Sequence, residues 1–460
     1  DVPKAHVWMQ TSASGGSSAF DSLGVCCFHG IGILYEHTFS MNKRNFLRTA
    51  ALTGLGVSLG WESLAREFES VRFRNADSLA ADDLFWKKIR EQYLLKPDYI
   101  NLENGYYNFI PQPTLERYIQ HIRDINYQGS YYMRTVQWEN KKKMAAKLAA
   151  IAGCGTDELI ITRNTTESLD LIIAGQSWQP GDEAVMAIQD YGAMLDMFDQ
   201  VAERYGVVLK KISVPNHPNS DEEIVSLYEQ AITPKTKLLM VCHMINITGH
   251  ILPIRKICDM AHAKGVEVMV DGAHAFAHFR YKISDLDCDY YGTSLHKWMS
   301  VPLGAGFLYV KKGKAPKLWP LLGDRTKKED VYRLNHTGTH PCATDLAIGD
   351  AIDFYNMIGA ERKEARLRYL KNYWTSRVKD NAKIIINTPL DSTRSCGIAN
   401  VGIEGMTPAT LGKRLIDEHK VYTVPIDYAN VQGCRITPNV YTTSQELHQF
   451  VNALHALANN

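Results

Sequence analysis

The chain has 460 residues, of which 45% are apolar and 22% charged, as in an ordinary globular protein with an ample core and two or three domains. Its net charge of +1 excludes the concentrated positive charge that binding to nucleic acid or to an anionic membrane requires. We therefore expect a small-molecule ligand, with no nucleic acid and no membrane insertion. The nine cysteines include no CxxC pair and no Cys/His group with zinc spacing, so we expect no metal site.

Residues 1–80 differ from the rest of the chain, and we predict that they form a leader or a poorly ordered segment. From Met41 the sequence reads MNKRNFLR and continues into a mildly apolar stretch, which resembles a twin-arginine export signal with Lys43 replacing the first arginine. That stretch is shorter than the roughly 20 residues of a membrane span. The alternative is an amphipathic helix packed on the body, so localisation stays open between the periplasm and the cytoplasm.

From about residue 101 the chain alternates helical patterns with short apolar runs, which predicts an α/β body with a mostly parallel sheet between helices. The predicted strands are 158–162, 183–188, 238–242, 266–270, 290–292 and 306–310. The predicted helices include 82–93, 166–175, 191–205 and 254–264. Long charged helices over 343–379, short strands and a last helix over 444–458 follow. We thus expect a large domain over 81–342 and a smaller α+β domain over 343–460.

Two of the predicted strands end in residues that carry chemistry. One ends in Asp271-Gly-Ala-His274, and the next ends in Ser294-Leu-His296-Lys297. The carboxyl ends of strands form the ligand crevice of an open α/β sheet. A lysine there can form a Schiff base with an aldehyde cofactor, and a carboxylate can pair with a protonated ring nitrogen. Taken singly, such an aspartate is often a helix cap and such a lysine is usually solvated; their combination indicates a site.

The spacing of these residues resembles class V of the fold type I enzymes that depend on pyridoxal 5'-phosphate (PLP), a class that includes isopenicillin N epimerase and the cysteine desulfurases. The resemblance covers the chain from about residue 101 to its end. It implies a seven-stranded, mostly parallel sheet in the large domain. It also implies PLP as the cofactor, with Lys297 as the Schiff-base lysine and Asp271 opposite the ring nitrogen.

Further motifs in the same order extend the resemblance to the phosphate and the ring of PLP. Thr165 and Thr166 open a helix after a strand, where free amides and the helix dipole attract phosphate; helix capping is the alternative role of Thr165. Ser294 and His296 are expected to contact the same phosphate. The family resemblance places Tyr191 on the face of the ring. It places Asn246 and His274 near the phenolic oxygen, with an ordinary turn as the alternative role of Asn246.

Two more matches concern the oligomer and the substrate. The sequence His-Thr-Gly-Thr339 resembles a loop that reaches the phosphate from the neighbouring subunit, which implies a homodimer with shared active sites. Arg435 resembles the arginine that binds the α-carboxylate of an amino-acid-like substrate through a bidentate fork. A surface ion pair is the alternative role of Arg435.

The reaction is narrowed by one departure from the family pattern. Cysteine desulfurases carry a nucleophilic cysteine on a loop before the arginine, and residues 420–430 contain none. We therefore expect an enzyme like isopenicillin N epimerase that acts at Cα of an amino acid or small peptide, with Lys297 as the proton base. A C–S lyase acting by β-elimination and an aminotransferase are the alternatives. A non-catalytic binding module would dispense with Lys297 or Arg435, and a nicotinamide enzyme would need a GxGxxG turn that is absent.

Overall fold

The structure, a computed structural model, describes Trp61, residues 64–391 and residues 393–459. The export-signal-like stretch that starts at Met41 lies outside the described residues. Residues 64–70 are helical, and Leu64, Phe68 and Val71 are buried in the main core. These apolar residues recur at the spacing of one helix face and pack against the body. The extent of the predicted leader or poorly ordered segment, residues 1–80, stays a prediction.

The strands and helices of the described residues follow the predicted alternation. The strands are β1 (Ile100–Asn101), β2 (Leu159–Thr162), β3 (Glu183–Ala187), β4 (Val208–Ile212), β5 (Thr236–Cys242), β6 (Glu267–Asp271), β7 (Tyr290–Ser294), β8 (Gly306–Val310), β9 (Ile384–Ile386), β10 (Ala399–Ile403), β11 (Val421–Tyr422), β12 (Val424–Tyr428) and β13 (Val431–Ile436). The helices are α1 (Ala76–Ala80), α2 (Asp83–Arg90), α3 (Gln112–Gln128), α4 (Ser130–Thr135), α5 (Gln137–Ala152), α6 (Thr165–Gly175), α7 (Gly192–Tyr205), α8 (Asp221–Ala231), α9 (Ile254–Ala263), α10 (Ile283–Leu286), α11 (Cys342–Ile358), α12 (Ala360–Val378), α13 (Pro408–His419) and α14 (Ser444–Asn459).

The large sheet has seven strands in the order β2-β8-β7-β6-β5-β3-β4, with only β8 antiparallel to its neighbours. This confirms the predicted α/β fold with a mostly parallel seven-stranded sheet. Alternate residues of one strand enter two different cores, since Val268 and Val270 pack on one face of the sheet and Met269 on the other. The sheet is therefore buried on both faces, as parallel sheets are when helices cover them.

The sequence prediction missed the edge strand β4. Its residues are half-buried or exposed, and it contains Lys210 and Lys211, so it lacks the apolar run that marked the other strands. An edge strand has only one neighbour, here β3, and needs less apolar surface.

The C-terminal part contains a second sheet. The predicted helical stretch 343–379 is two helices, α11 and α12, separated by Gly359 with a backbone φ of 86°. A four-stranded antiparallel sheet follows, in the order β12-β13-β10-β9, with a core of its own. The two sheets lie on either side of the predicted domain boundary at residue 342, and the boundary itself stays a prediction.

A short strand near the start of the body joins the C-terminal part. Strand β1 pairs in parallel with β11, and Thr437 N donates a hydrogen bond of 2.8 Å to Leu102 O. These backbone bonds hold residues 100–104 next to the end of β13. No helix of the described residues has the length and apolar character that would let it cross a membrane.

Candidate active site

A cavity of about 360 Å³ lies at the carboxyl ends of the parallel strands of the large sheet. Of the eleven predicted site residues, ten line it: Thr165, Thr166, Tyr191, Asn246, Asp271, His274, Ser294, His296, Lys297 and Arg435. Other lining residues, which the sequence did not suggest, include Gly105, Tyr106, Arg163, Cys242, Met244 and Leu303. The structure thus brings together residues from six separate segments of the chain, as the crevice of a parallel sheet predicts.

Lys297 follows β7 in a tight turn and has one polar neighbour in the described part of the chain. Its Nζ lies 3.1 Å from His274 Nε2. Burial lowers the pKa of Lys297 to about 8, with Arg435 adding to the effect and Asp271 opposing it. About a tenth of this lysine is therefore the neutral, nucleophilic amine at pH 7, far more than of a lysine with the ordinary pKa.

His274 holds the lysine from one side. Burial, with smaller effects of Lys297 and Arg435, lowers the pKa of His274 well below its usual value, so the ring is neutral. Its Nδ1 accepts a hydrogen bond of 3.4 Å from Trp298 Nε1, which leaves the proton on Nε2. The Nε2–H can then donate to the amine of Lys297 when that amine is neutral. His278 supports this arrangement by stacking on Trp298, with the two ring centroids 3.6 Å apart.

Asp271 is the last residue of β6 and is only 4% exposed. Its Oδ1 accepts a hydrogen bond of 2.9 Å from Ala273 N. Burial raises the pKa of Asp271, whereas that hydrogen bond and the charge of Lys297 oppose the rise. The next residue must be glycine, because a Cβ on Gly272 would lie 1.9 Å from the hydroxyl of Tyr291.

The N-terminus of α6 forms another wall of the cavity. Asn164 caps this helix, since its Oδ1 accepts a hydrogen bond of 2.8 Å from Glu167 N. The capping role considered for Thr165 is therefore filled by Asn164. Thr165 instead contacts Ser294 Oγ through its N and its Oγ1, at 2.9 and 2.7 Å. Two hydroxyls and a helix start converge here, which is an arrangement that binds anions.

Tyr191 and Asn246 line the cavity from two further strand ends. Tyr191 directly precedes α7, and its side chain is 46% exposed at the cavity. Asn246 follows β5, and its backbone oxygen lies 3.5 Å from Arg435 Nη1. Both side chains are placed where the predicted contacts to a ring are possible, and these contacts stay predictions.

Arg435 on β13 is bound by a residue that the sequence analysis missed. Its Nη2 lies 2.6 Å from Glu103 Oε1, and its Nε lies 3.3 Å from Glu103 Oε2. Both side chains are buried, at 8% and 5% exposure for Arg435 and Glu103. Arg435 does form an ion pair, as the alternative role proposed, but the pair is buried beside the cavity and does not lie on the surface. No local signal marked Glu103, which is separated from Arg435 by 332 residues along the chain.

Thr339 is exposed and does not line this cavity. The family resemblance implies that Thr339 reaches the active site of a neighbouring subunit, so a position outside the cavity of its own chain is compatible with that role. Its contact to a phosphate stays a prediction.

The cavity residues fit PLP, the cofactor that the resemblance implies. Lys297 offers an amine with a lowered pKa, and Asp271 offers a buried carboxylate. The start of α6 and Ser294 offer donors for a phosphate. In addition, His296 Nδ1 is buried and has no hydrogen-bond partner among the described residues. A buried polar atom without a partner is costly, and a ligand in this cavity would supply one.

Comparison with known proteins identifies the family. Residues 109–425 match the family model of the class V aminotransferases, so the chain belongs to this family of PLP-dependent enzymes. Isopenicillin N epimerase of Streptomyces clavuligerus is 27% identical over 394 residues, which cover 81% of this chain and 98% of the relative. A cysteine desulfurase of Haloferax volcanii is 25% identical over 387 residues, covering 78% and 89% of the two chains.

The solved structures that resemble this chain include a cysteine desulfurase from Thermococcus onnurineus NA1, with a TM-score of 0.71, 21% identity, and coverage of 81% and 97% of the two chains. Another is the cystine C–S lyase C-DES in complex with cysteine persulfide, with a TM-score of 0.69, 19% identity, and coverage of 78% and 97%. At this level of identity, the structures show a shared fold. The predicted family, the predicted fold and PLP as the cofactor are thereby confirmed.

Proposed function

We propose that this class V enzyme inverts the configuration at Cα of an amino acid or small peptide, in the manner of isopenicillin N epimerase. The observation that carries the proposal is the pair formed by Lys297 and His274, in which an amine whose pKa burial lowers to about 8 lies 3.1 Å from a neutral imidazole at the cavity. The similarity to isopenicillin N epimerase over nearly its whole length supports the same assignment.

The residues that would hold PLP divide by the part of the cofactor they serve. Lys297 would attach it covalently, Asp271 would pair with the ring nitrogen and Tyr191 would cover the ring face. The phenolic oxygen would be contacted by Asn246 and His274. The phosphate would be bound by Thr165, Thr166, Ser294, His296 and Thr339 of the partner subunit.

When bound, PLP supplies an electron sink that makes the Cα proton of an attached amino acid acidic. The chain's own groups then handle the proton. Lys297 Nζ accepts it, because a lysine with a pKa near 8 is a better base at neutral pH than an ordinary lysine. Inversion is complete when a proton returns to Cα on the opposite face. His274 holds the amine in place through its Nε2–H. Arg435 orients the substrate through its carboxyl group.

The positions of the cysteines near Arg435 argue against a desulfurase mechanism that uses a cysteine nucleophile. The loop before Arg435, residues 420–430, contains no cysteine. Cys434 neighbours Arg435 on β13, but it is fully buried, and its Sγ contacts the carbonyl oxygen of Pro408. Alternate residues of a strand point to opposite faces, so this thiol does not line the cavity.

The test is to incubate the PLP-loaded protein with a panel of amino acids and small peptides in D₂O. We expect deuterium at Cα together with the opposite enantiomer or epimer, measured by mass spectrometry and chiral chromatography. Keto acid or thiol products without inversion would overturn the proposal in favour of transamination or C–S cleavage. Absence of Cα exchange across the whole panel would contradict it as well.

A further inference from the structure

The arginine assigned to the substrate already has a carboxylate partner within the protein. Glu103 meets the Nε/Nη2 edge of Arg435, at 3.3 and 2.6 Å. A guanidinium presents a second edge, formed by Nη1 and the other hydrogen of Nη2. On that edge, the one contact of Nη1 among the described residues is to Asn246 O at 3.5 Å, the outer limit of a hydrogen bond. One edge of Arg435 is therefore used, and the other is available at the cavity.

Glu103 is fixed in this position by more than its contact to Arg435. Its Oε1 also accepts hydrogen bonds from Gly105 N at 3.1 Å and from Tyr106 N at 2.8 Å. Asn104 N in turn donates to Thr437 Oγ1 at 2.6 Å, which ties the turn to the end of β13. Moving the carboxylate away would break three hydrogen bonds to one oxygen, so an incoming substrate cannot displace it cheaply.

The turn that carries Glu103 also packs tightly against the arginine. A Cβ on Gly105 would lie 2.7 Å from Arg435 Cζ, so the backbone of the turn covers the guanidinium face closely. The next residue, Tyr106, lines the cavity and is 75% exposed. Residues 103–106 thus shape the part of the cavity where the substrate's carboxyl group would lie.

We propose that Glu103 determines which substrates the cavity accepts, because it neutralises Arg435 and reserves the Nε/Nη2 edge for itself. A substrate carboxylate then binds only through the Nη1/Nη2 edge, next to a resident negative charge. An uncharged amide carbonyl at the same position avoids the repulsion between the two carboxylates. The substrate class is therefore amino acids and small peptides in which a carboxylate or an amide lies next to the reacting carbon. This inference rests on the proposed function.

The test compares two small ligands that differ in that group, L-alanine and L-alaninamide. Their dissociation constants are measured from the change in absorbance of the PLP-loaded protein. In the wild-type protein we expect the two constants to lie within about tenfold of each other. In Glu103→Gln, which keeps the shape and removes the charge, the preference for alanine should rise about tenfold, because an unopposed arginine attracts the carboxylate. Using the ratio removes effects common to both ligands.

Two further variants separate competition from a structural role. Glu103→Asp keeps the charge but moves it one methylene away from Arg435, so its ratio should lie between those of Glu103→Gln and the wild type. In the double variant Glu103→Gln/Arg435→Gln, the increased preference for alanine over alaninamide should disappear. If Glu103→Gln does not fold, Glu103→Asp alone should still raise the preference for alanine over alaninamide above that of the wild type. Equal weakening of both ligands, or a reduced preference for alanine, would overturn the proposal.

A second readout needs no substrate at all. Phenylglyoxal modifies guanidinium groups, and peptide mapping by mass spectrometry reports the rate at Arg435. We expect faster modification in Glu103→Gln than in the wild type, and equal rates would contradict the proposal. Cα exchange separates the two proposals: if the ligand ratio and the phenylglyoxal rate change as expected while no Cα exchange occurs, only the proposed function fails.

Discussion

On the lysine side of the cavity, built from the ends of β6 and β7, two polar groups have one hydrogen-bond partner or none within the described residues. Lys297 Nζ contacts only His274, and His296 Nδ1 has no partner. On the arginine side, built from β13 and the 103–106 turn, Arg435 and Glu103 bind each other at two points. The lysine side therefore offers unpaired polar groups to a ligand. On the arginine side, most polar groups of Arg435 and Glu103 already have partners within the protein.

If the lysine side carries the reaction, substitution of Lys297 should reduce Cα exchange more than any other single substitution. Lys297→Ala removes both the amine that attaches PLP and the proton base. We expect no borohydride-stable attachment and a loss of Cα exchange of at least about 10³-fold. Lys371→Met is the matched control, since Lys371 is another buried lysine, lies outside the cavity, and burial lowers its pKa to about 8 as well. Residual exchange within tenfold of the wild type would mean that another base acts.

The second largest loss of Cα exchange is expected for substitution of Asp271, the carboxylate on the lysine side. Asp271→Asn keeps the shape of the side chain and removes its charge, so we expect Cα exchange to fall by about 10²–10³-fold. Asp289→Asn serves as the control, because Asp289 is also buried and does not line the cavity. Similar losses in both variants would indicate general destabilisation of this region rather than a role of Asp271 at the ring nitrogen.

The pH dependence of cofactor loading tests the state of the lysine. Burial lowers the pKa of Lys297 to about 8, so the neutral amine is fully available above that pH and is lost as the pH falls. The rate of PLP attachment to the cofactor-free protein should therefore fall about tenfold per pH unit below 8 and level off above it. Stopped-flow absorbance measures this rate. A rate that continues to rise to pH 10 would mean an ordinary lysine.

The smallest of these effects belongs to a single hydroxyl. Thr165→Val is isosteric and removes one proposed phosphate donor, so the affinity for PLP should fall about tenfold. Thr293→Val is its match: the buried Thr293 hydroxyl donates to Gly272 O and does not line the cavity. We expect Thr293→Val to leave the PLP affinity within about twofold of the wild type. Equal losses would argue against a phosphate site at the start of α6.

The two sides also differ in how far the sequence predicts them. Asp271, His274, Ser294, His296 and Lys297 lie within 27 residues of each other, directly after strands, so their spacing carries the information. The seven-stranded sheet and the cofactor PLP were predicted from the family resemblance that the same motifs carry.

The contact between Glu103 and Arg435 had no such signal. It depends on the pairing of β1 with β11, two strands of two residues each that are far apart in sequence. Pairings this short leave no apolar pattern to read. Likewise, Asn164 rather than Thr165 caps α6, since two adjacent residues were both chemically able to do so.

The identity of the lysine that carries PLP tests the central claim most directly. Among the described residues, burial lowers the pKa of four lysines: Lys141, Lys297, Lys363 and Lys371. The PLP-loaded protein is reduced with borohydride, digested, and mapped by mass spectrometry. We expect the reduced cofactor on the peptide that contains Lys297. Cofactor on any of the other three lysines, or on none, would contradict the assignment of this cavity as the active site.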